Sequence, residues 1–400
     1  MKSLCKLLFA ALVAVWWLPA QSTFGSIVGT VTDPSGAVIP GARVTVTNLA
    51  ENTSQTVQTN AQGNYEALNL KAGTYQVTVE AAGFKMFQAA EVPLAARQVV
   101  RVNAALEVGA VTESIMVQAV APVITTDTQT IASSLDTRMV LELPLNYRGA
   151  GSTSPYRVLA FLPGVQSDDN FNYAVQGAVP AQTEVTLDGI STINVTGHSP
   201  LPEVYPSAEG IAEMKVQGVG GNAEFGQIGD ITTTSRGGSN EFHGSLFEYL
   251  QNRALDATPF GATSKPPKVA NTFGGSLGGR LIRNRTFFFT TYEDMRYARS
   301  SALQATVPTA AMRAGDFSKE PVSLRDPFTG NPLPGNQIPA SQIVGVARKV
   351  LEFYPLPNFG PTDVQRAANF RKNEAAPITS RQFDVRLDHV LTEKQSLFGR

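Results

Sequence analysis

The chain has 400 residues, 42% of them hydrophobic, with 34 Gly, 25 Pro and a formal net charge of -1. That balance excludes nucleic acid as a partner, which calls for a basic surface, and the glycine and proline content suits a turn-rich β protein of two or three domains. The one cysteine, Cys5, precedes the apolar core of an N-terminal leader, so the exported chain has neither disulfides nor thiolate metal sites.

Residues 1–22 read as a secretory signal peptide. Lys2 and Lys6 form the charged start, residues 7–18 the apolar core, and Ala20, Gln21 and Ser22 a small-x-small cleavage site. That core is too short for a spanning helix. No later run reaches the roughly 18 apolar residues of one, so membrane insertion must use strands.

Residues 25–108 alternate in period two, predicting strands at 26–32, 42–48, 53–59, 73–81 and 98–106, with Tyr75, Val77 and Val79 on a buried face. Turn chemistry separates them, as at Asp33-Pro34-Ser35-Gly36 and Ala82-Gly83. The order G-x-V-x-D-x-x-G-x-x-I-P-G-A-x-V over 29–44, N-x-x-G-x-Y over 60–65 and L-x-A-G-x-Y-x-V-x-V-x-A-x-G-F over 70–84 resembles the carboxypeptidase regulatory-like domain. The resemblance implies a transthyretin-like, carbohydrate-binding-like β-sandwich and no peptidase. A zinc peptidase needs an H-x-x-E pair, whereas His198, His243 and His389 are followed at the third position by Leu201, Leu246 and Thr392.

Residues 109–123 form an extended connector. Within it Glu113, Ser114, Ile115, Met116, Val117, Gln118 and Ala119 resemble a TonB box, a polar start followed by a β-prone run able to add a strand to a partner's sheet edge. A linker or a last sandwich strand accounts for the same residues equally well.

Residues 124–236 mix signals. Ile131, Leu135, Met139 and Val140 have helical spacing over 130–141, strands are predicted at 158–162, 184–187 and 211–216, and Asp188-Gly189 is a turn. The glycines of 218–229 lack the Lys-Ser/Thr and the helix that a phosphate loop requires. L-P-L-N-x-R (143–148), L-P-G-V (162–165), L-D-G (187–189), N-A-E-F-G (222–226) and S-R-G-G-S-N-E-F-H-G-S (235–245), in that order, resemble a TonB-dependent receptor of the Oar-like type. The resemblance implies a mixed α/β plug over 124–236 inside a 22-stranded barrel that begins near 237, with the sandwich as a periplasmic extension. It also implies TonB and outer-membrane lipid as partners, and an extracellular ligand of unidentified class, carbohydrate among the candidates. Such a ligand would meet the plug loops at Asp168, Asp169, Asn170, Tyr173, Asn194, His198 and Tyr205. No catalytic group, metal or cofactor is expected.

The barrel signal lies in residues 237–400. Over 382–389, Phe383, Val385, Leu387 and His389 oppose Gln382, Asp384, Arg386 and Asp388; Phe273, Leu277 and Leu281 oppose Thr272, Ser276 and Arg280 over 272–281. Lipid suits the first face of each run and water the second. Aromatic strands at 241–251 and 286–294 complete four, and a fifth starts at 395. The connections alternate long (252–270), short (282–285), long (295–379, with a helix at 344–353) and short (391–394), as outer-membrane barrels do. Arg236, Glu241 and Arg253, near the plug-wall joint, read first as ordinary lumen polarity and second as charged plug-wall contacts. Four complete strands cannot close a barrel, so the sequence is expected to be a fragment or a truncated gene that transports nothing alone. The competing function is an outer-membrane-anchored adhesion or structural protein whose sandwich binds glycan or protein; neither reading is enzymatic.

Overall fold

The computed structural model describes residues 23–109, 114–118, 132–142, 155–167, 172–194, 196, 200–201, 204–218, 227–258, 265, 268–365, 367–393 and 395–400. The expected signal peptide at 1–22 and the motifs at 143–148 and 222–226 lie outside them. Two compact units divide the chain, one drawn from residues 1–249, 271–295 and 380–400, the other from 250–270 and 296–379.

The first domain is a sandwich of β1 (Gly25–Thr32), β2 (Arg43–Asn48), β3 (Thr53–Gln58), β4 (Asn64–Leu70), β5 (Gly73–Glu80), β6 (Met86–Leu94), β7 (Val99–Arg101), β8 (Ala104–Ala105) and β9 (Ser114–Gln118). One sheet runs β4-β1-β7 with β8 also on β1; the other runs β3-β2-β5-β6-β9. Period-two burial makes the core: β1 turns Ile27 and Val31 inward, and β5 turns Tyr75, Val77 and Val79 inward. Each large apolar side chain so buried contributes about 1.5–3 kcal/mol. Gly29 permits the closest approach, since a Cβ there would stand 1.9 Å from the Val102 carbonyl oxygen and 2.7 Å from the Tyr65 ring. The Tyr65 hydroxyl donates to that same carbonyl at 2.7 Å.

Three features of the sandwich differ from expectation. β4 and β6 form where no strand was predicted: β6 carries Ala89, Ala90 and Pro93, poor strand formers, and its place between β5 and β9 with Phe87, Ala89, Val92 and Leu94 buried outweighs propensity. The strand expected at 98–106 breaks into β7 and β8, and between them the Asn103 side-chain oxygen accepts the Thr30 N–H at 3.0 Å.

The central domain contains β10 (Ala132–Asp136), α1 (Thr137–Glu142), a 3-10 helix (Pro155–Phe161), β11 (Val165–Ser167), β12 (Tyr173–Val175), β13 (Thr183–Leu187), β14 (Ile190–Ser191), β15 (Ile211–Gln217) and β16 (Gly229–Ser235). Its sheet runs β10-β15-β16-β13-β14, and β11-β12 is a separate hairpin. The helix predicted at 130–141 is half strand: β10 pairs antiparallel with β15, and α1 starts only where the Asp136 carboxylate accepts the Met139 N–H at 2.8 Å. Leu135 and Val140 are buried as expected, Met139 is 50% exposed, and Ile131 lies outside the described residues. Residues 158–162, predicted as strand, fall largely in the 3-10 helix, because a short apolar run packs equally well in either conformation. β16, with sequence GDITTTS, was not predicted; it is buried throughout, and its threonines bring β-branched stems to the middle of the sheet.

The remaining strands are β17 (His243–Asn252), β18 (Lys268–Ile282), β19 (Thr286–Ala305), β20 (Phe370–Ala375), β21 (Ile378–Thr392) and β22 (Gln395–Gly399), ordered β17-β18-β19-β21-β22 with β20 on β19. The expected alternation appears inside out relative to a soluble sheet. Phe383 is 70% exposed and Val385 and Leu387 are also outward, whereas Arg386 and Asp388 are buried; on β18 Leu277 faces outward, and Thr272 and Ser276 inward. β18, β19 and β21 are longer than predicted, and β20 was not predicted. The second unit also contains α2 (Ala310–Arg313), capped by the Thr309 side chain, and α3 (Gly345–Glu352), where a helix was predicted. Among the described residues no helix is long and apolar enough to cross a membrane.

Candidate functional site

Where the central domain faces the inner side of β21, the carboxylate of Asp188 and the guanidinium of Arg386 share one buried cluster. The hairpin turn between β13 and β14 places Asp188 (φ 52) before Gly189 (φ 84), both left-handed, which Asp and Gly tolerate. Asp188 accepts the Ser235 N–H at 2.8 Å and the Ser235 hydroxyl at 2.7 Å. Arg386 donates to both oxygens of Asp388 at 2.9 and 3.0 Å, to the Ser235 carbonyl and hydroxyl at 2.8 Å each, and lies 3.5 Å from Asp188. Lys71, in the β4–β5 turn of the sandwich, adds its ammonium 3.0 Å from Asp388 and 3.0 Å from Glu51. Two cations and three carboxylates from sandwich, central domain and wall thus meet in one network, and the bidentate Arg386–Asp388 fork fixes its geometry.

Other contacts between central domain and wall are polar too. Ser207 donates to Glu293 at 2.7 Å, Ser245 donates to Glu209 at 2.9 Å, and the Gln382 amide donates to the Tyr205 carbonyl at 3.0 Å. The Arg236 guanidinium stands 5.1 Å from the Phe289 ring centre, a cation–π contact. Of the other two residues expected at this joint, Glu241 is exposed and Arg253 belongs to the second unit.

The sandwich meets the central domain at the loop between β6 and β7. Arg97, itself left-handed (φ 55), donates to both oxygens of Asp230 at 3.0 and 2.8 Å. Glu213 accepts the Ala96 N–H at 2.8 Å, and Lys215 donates to the Ala96 carbonyl at 2.8 Å. Burial pushes the Asp230 carboxyl up from its ordinary value against the pull of Arg97, and pushes the Lys215 ammonium down against the pull of Glu213.

The residues expected to bind partners lie elsewhere. Ser114–Gln118 is β9, whose backbone pairs in parallel with Met86–Ala90 of β6, making it the edge strand of the sandwich; Glu113 and Ala119 lie outside the described residues. Tyr173 and Tyr205 are core residues rather than loop apices, with ring centres 6.4 and 5.0 Å from Tyr156, and the Tyr205 hydroxyl donates to the Pro200 carbonyl at 3.2 Å. An aromatic inside a polar segment gives no sign of which way it turns. Asn194 accepts the Thr196 N–H and hydroxyl at 2.9 and 2.7 Å in a surface turn. Asp168, Asp169, Asn170 and His198 lie outside the described residues. Sequence reasoning missed Lys71, Arg97, Asp230 and Glu293; the available signal was a charge set among threonines or aromatics, as in GDITTTS.

Residues 26–107 match the family model for the carboxypeptidase regulatory-like domain, and residues 234–400 that for the outer membrane beta barrel domain. Over 306 residues the chain is 29% identical to the TonB-dependent transporter Oar of Myxococcus xanthus, covering 72% of this chain and 28% of that protein. The chain therefore spans just over a quarter of that relative's length. Among solved structures, the siderophore receptor PirA from Acinetobacter baumannii is 16% identical, covers 43% of this chain and 28% of its own, and has a TM-score of 0.33. A carbohydrate binding protein assignment from Bacteroides uniformis is 22% identical over 20% of this chain and 40% of its own, with a TM-score of 0.18. The chain is accordingly an outer-membrane protein related to the TonB-dependent transporter Oar, with a carboxypeptidase regulatory-like domain ahead of an outer-membrane β-barrel domain.

Proposed function

We propose that this chain is the periplasmic extension (25–108), connector (109–123), plug (124–236) and first wall strands (237–400) of a transporter driven by TonB. The observation that carries the reading is the polar joint between central domain and wall: Arg386 with Asp188 and Ser235, Ser207 with Glu293, and Ser245 with Glu209. Polar contacts of this kind can re-form with water once the joint has opened, whereas an apolar joint would leave its surface exposed to water. In the proposed cycle an extracellular ligand engages the segments that carry Asp168, Asp169, Asn170, Asn194 and His198. TonB then adds a strand to Glu113–Ala119 and pulls, and the plug rearranges.

The edge position of β9 favours a second reading, in which Ser114–Gln118 only completes the sandwich and the protein is an adhesion or structural element anchored in the membrane. Deleting residues 113–119 from the full gene product separates the two. Transport predicts normal outer-membrane insertion with loss of TonB co-purification. If TonB co-purifies equally with both forms, or with neither, the coupled reading fails.

A further inference from the structure

The sandwich has two sets of contacts, and they differ in how they can open. At the central domain, Arg97 and Asp230 are only 5% and 4% exposed, and Glu213 and Lys215, also buried, grip the backbone of Ala96 from either side. Two positive and two negative side chains thus surround one loop with water excluded. A partial separation would leave an unpaired charge in a dry interface, so the four let go together or not at all. At the wall, Lys71 is 18% exposed and holds Asp388 at 3.0 Å. Beside it, Asn240 donates its backbone N–H to the Ala50 carbonyl at 3.0 Å and its side-chain amide to the Glu51 carbonyl at 2.6 Å. Each of these rim bonds can be replaced by water singly, and Asp388 keeps its Arg386 fork when Lys71 leaves.

We propose that the sandwich and the central domain move as one body through the Ala96–Arg97 clamp, and that Lys71–Asp388, with the neighbouring Asn240 bonds, is the contact at which the sandwich end of this body parts from the wall. The sandwich would then be a handle on the central domain and not a freely hinged appendage. That this parting occurs during transport rests on the function proposed above; the unequal coupling of the two contacts does not.

Hydrogen exchange on the full gene product in outer-membrane vesicles tests it, with peptides over 94–98 reporting the clamp through the Ala96 amide and peptides over 238–242 reporting the rim through the Asn240 amide. The clamp is expected to exchange at least about tenfold more slowly than the rim. Lys71→Ala should accelerate the rim peptide and leave the clamp peptide unchanged. Asp230→Asn should accelerate the clamp; should that chain fold poorly, Glu213→Gln, which keeps the side-chain shape, should do so to a smaller extent. Equal protection of the two peptides, a clamp faster than the rim, or acceleration of both by Lys71→Ala would overturn the proposal. The connector deletion reads the transport assignment separately, so the failure of one is not mistaken for the failure of the other.

Discussion

Replacing Arg386 by alanine would remove both bonds of the fork to Asp388, both bonds to Ser235 and the ion pair with Asp188, leaving Lys71 paired with Glu51 and Asp388. Removing one partner of a buried ion pair costs about 3–5 kcal/mol, because the other charge remains desolvated. Here the low end applies. Asp388 keeps Lys71, and Asp188 keeps the N–H and hydroxyl of Ser235. By the same logic Lys71→Ala should cost no more than about 1 kcal/mol, since Lys71 is partly solvated and Asp388 retains a bidentate partner. The assay is a urea titration of the full gene product in outer-membrane vesicles, with exchange of the β16 amides (229–235) as the readout. With ordinary urea sensitivities, about 3 kcal/mol moves the midpoint down by roughly 1–3 M. A shift for Arg386→Ala no larger than that for Lys71→Ala would refute the reasoning, since it would mean that the cluster is already hydrated.

Two further outcomes are expected in the sandwich. Gly29→Ala puts a methyl 1.9 Å from the Val102 carbonyl oxygen, so β1 must shift from β7 and β8 at a cost of about 1–3 kcal/mol; faster proteolysis within residues 23–109, with the wall strands unaffected, is the check. Asp33 should titrate below its ordinary 3.8, because the Ser35 hydroxyl, with the N–H groups of Ala37, Ser35 and Gly36, favours the carboxylate over the smaller opposing effect of burial. A depressed folded value means that the β1–β2 turn is supported above the unfolded pKa and loses that support as the pH falls through the folded one. An NMR titration of the Asp33 carboxyl indistinguishable from that of a short peptide would contradict this.

The local patterns were readable from the residues alone. Alternation in period two located β1, β2, β3, β5 and the outward apolar face of β21, because side-chain direction in a strand needs no knowledge of the partner strand. Turn residues such as Asp188-Gly189 were legible for the same reason: left-handed backbone is a property of the residue. What only the tertiary structure decided was anything whose energy depends on a distant neighbour. β16 looks polar in sequence and becomes the centre of a sheet only because β13 and β15 flank it. Helical and extended conformations of 132–136 are separated by the free edge of β15. Tyr173 and Tyr205 turn inward because Tyr156 is there to receive them. The charge clusters are the extreme case: Lys71 and Asp388 are 317 positions apart, and a lysine in a turn and an aspartate in a wall strand each look like ordinary solvated polarity until folding removes the water between them.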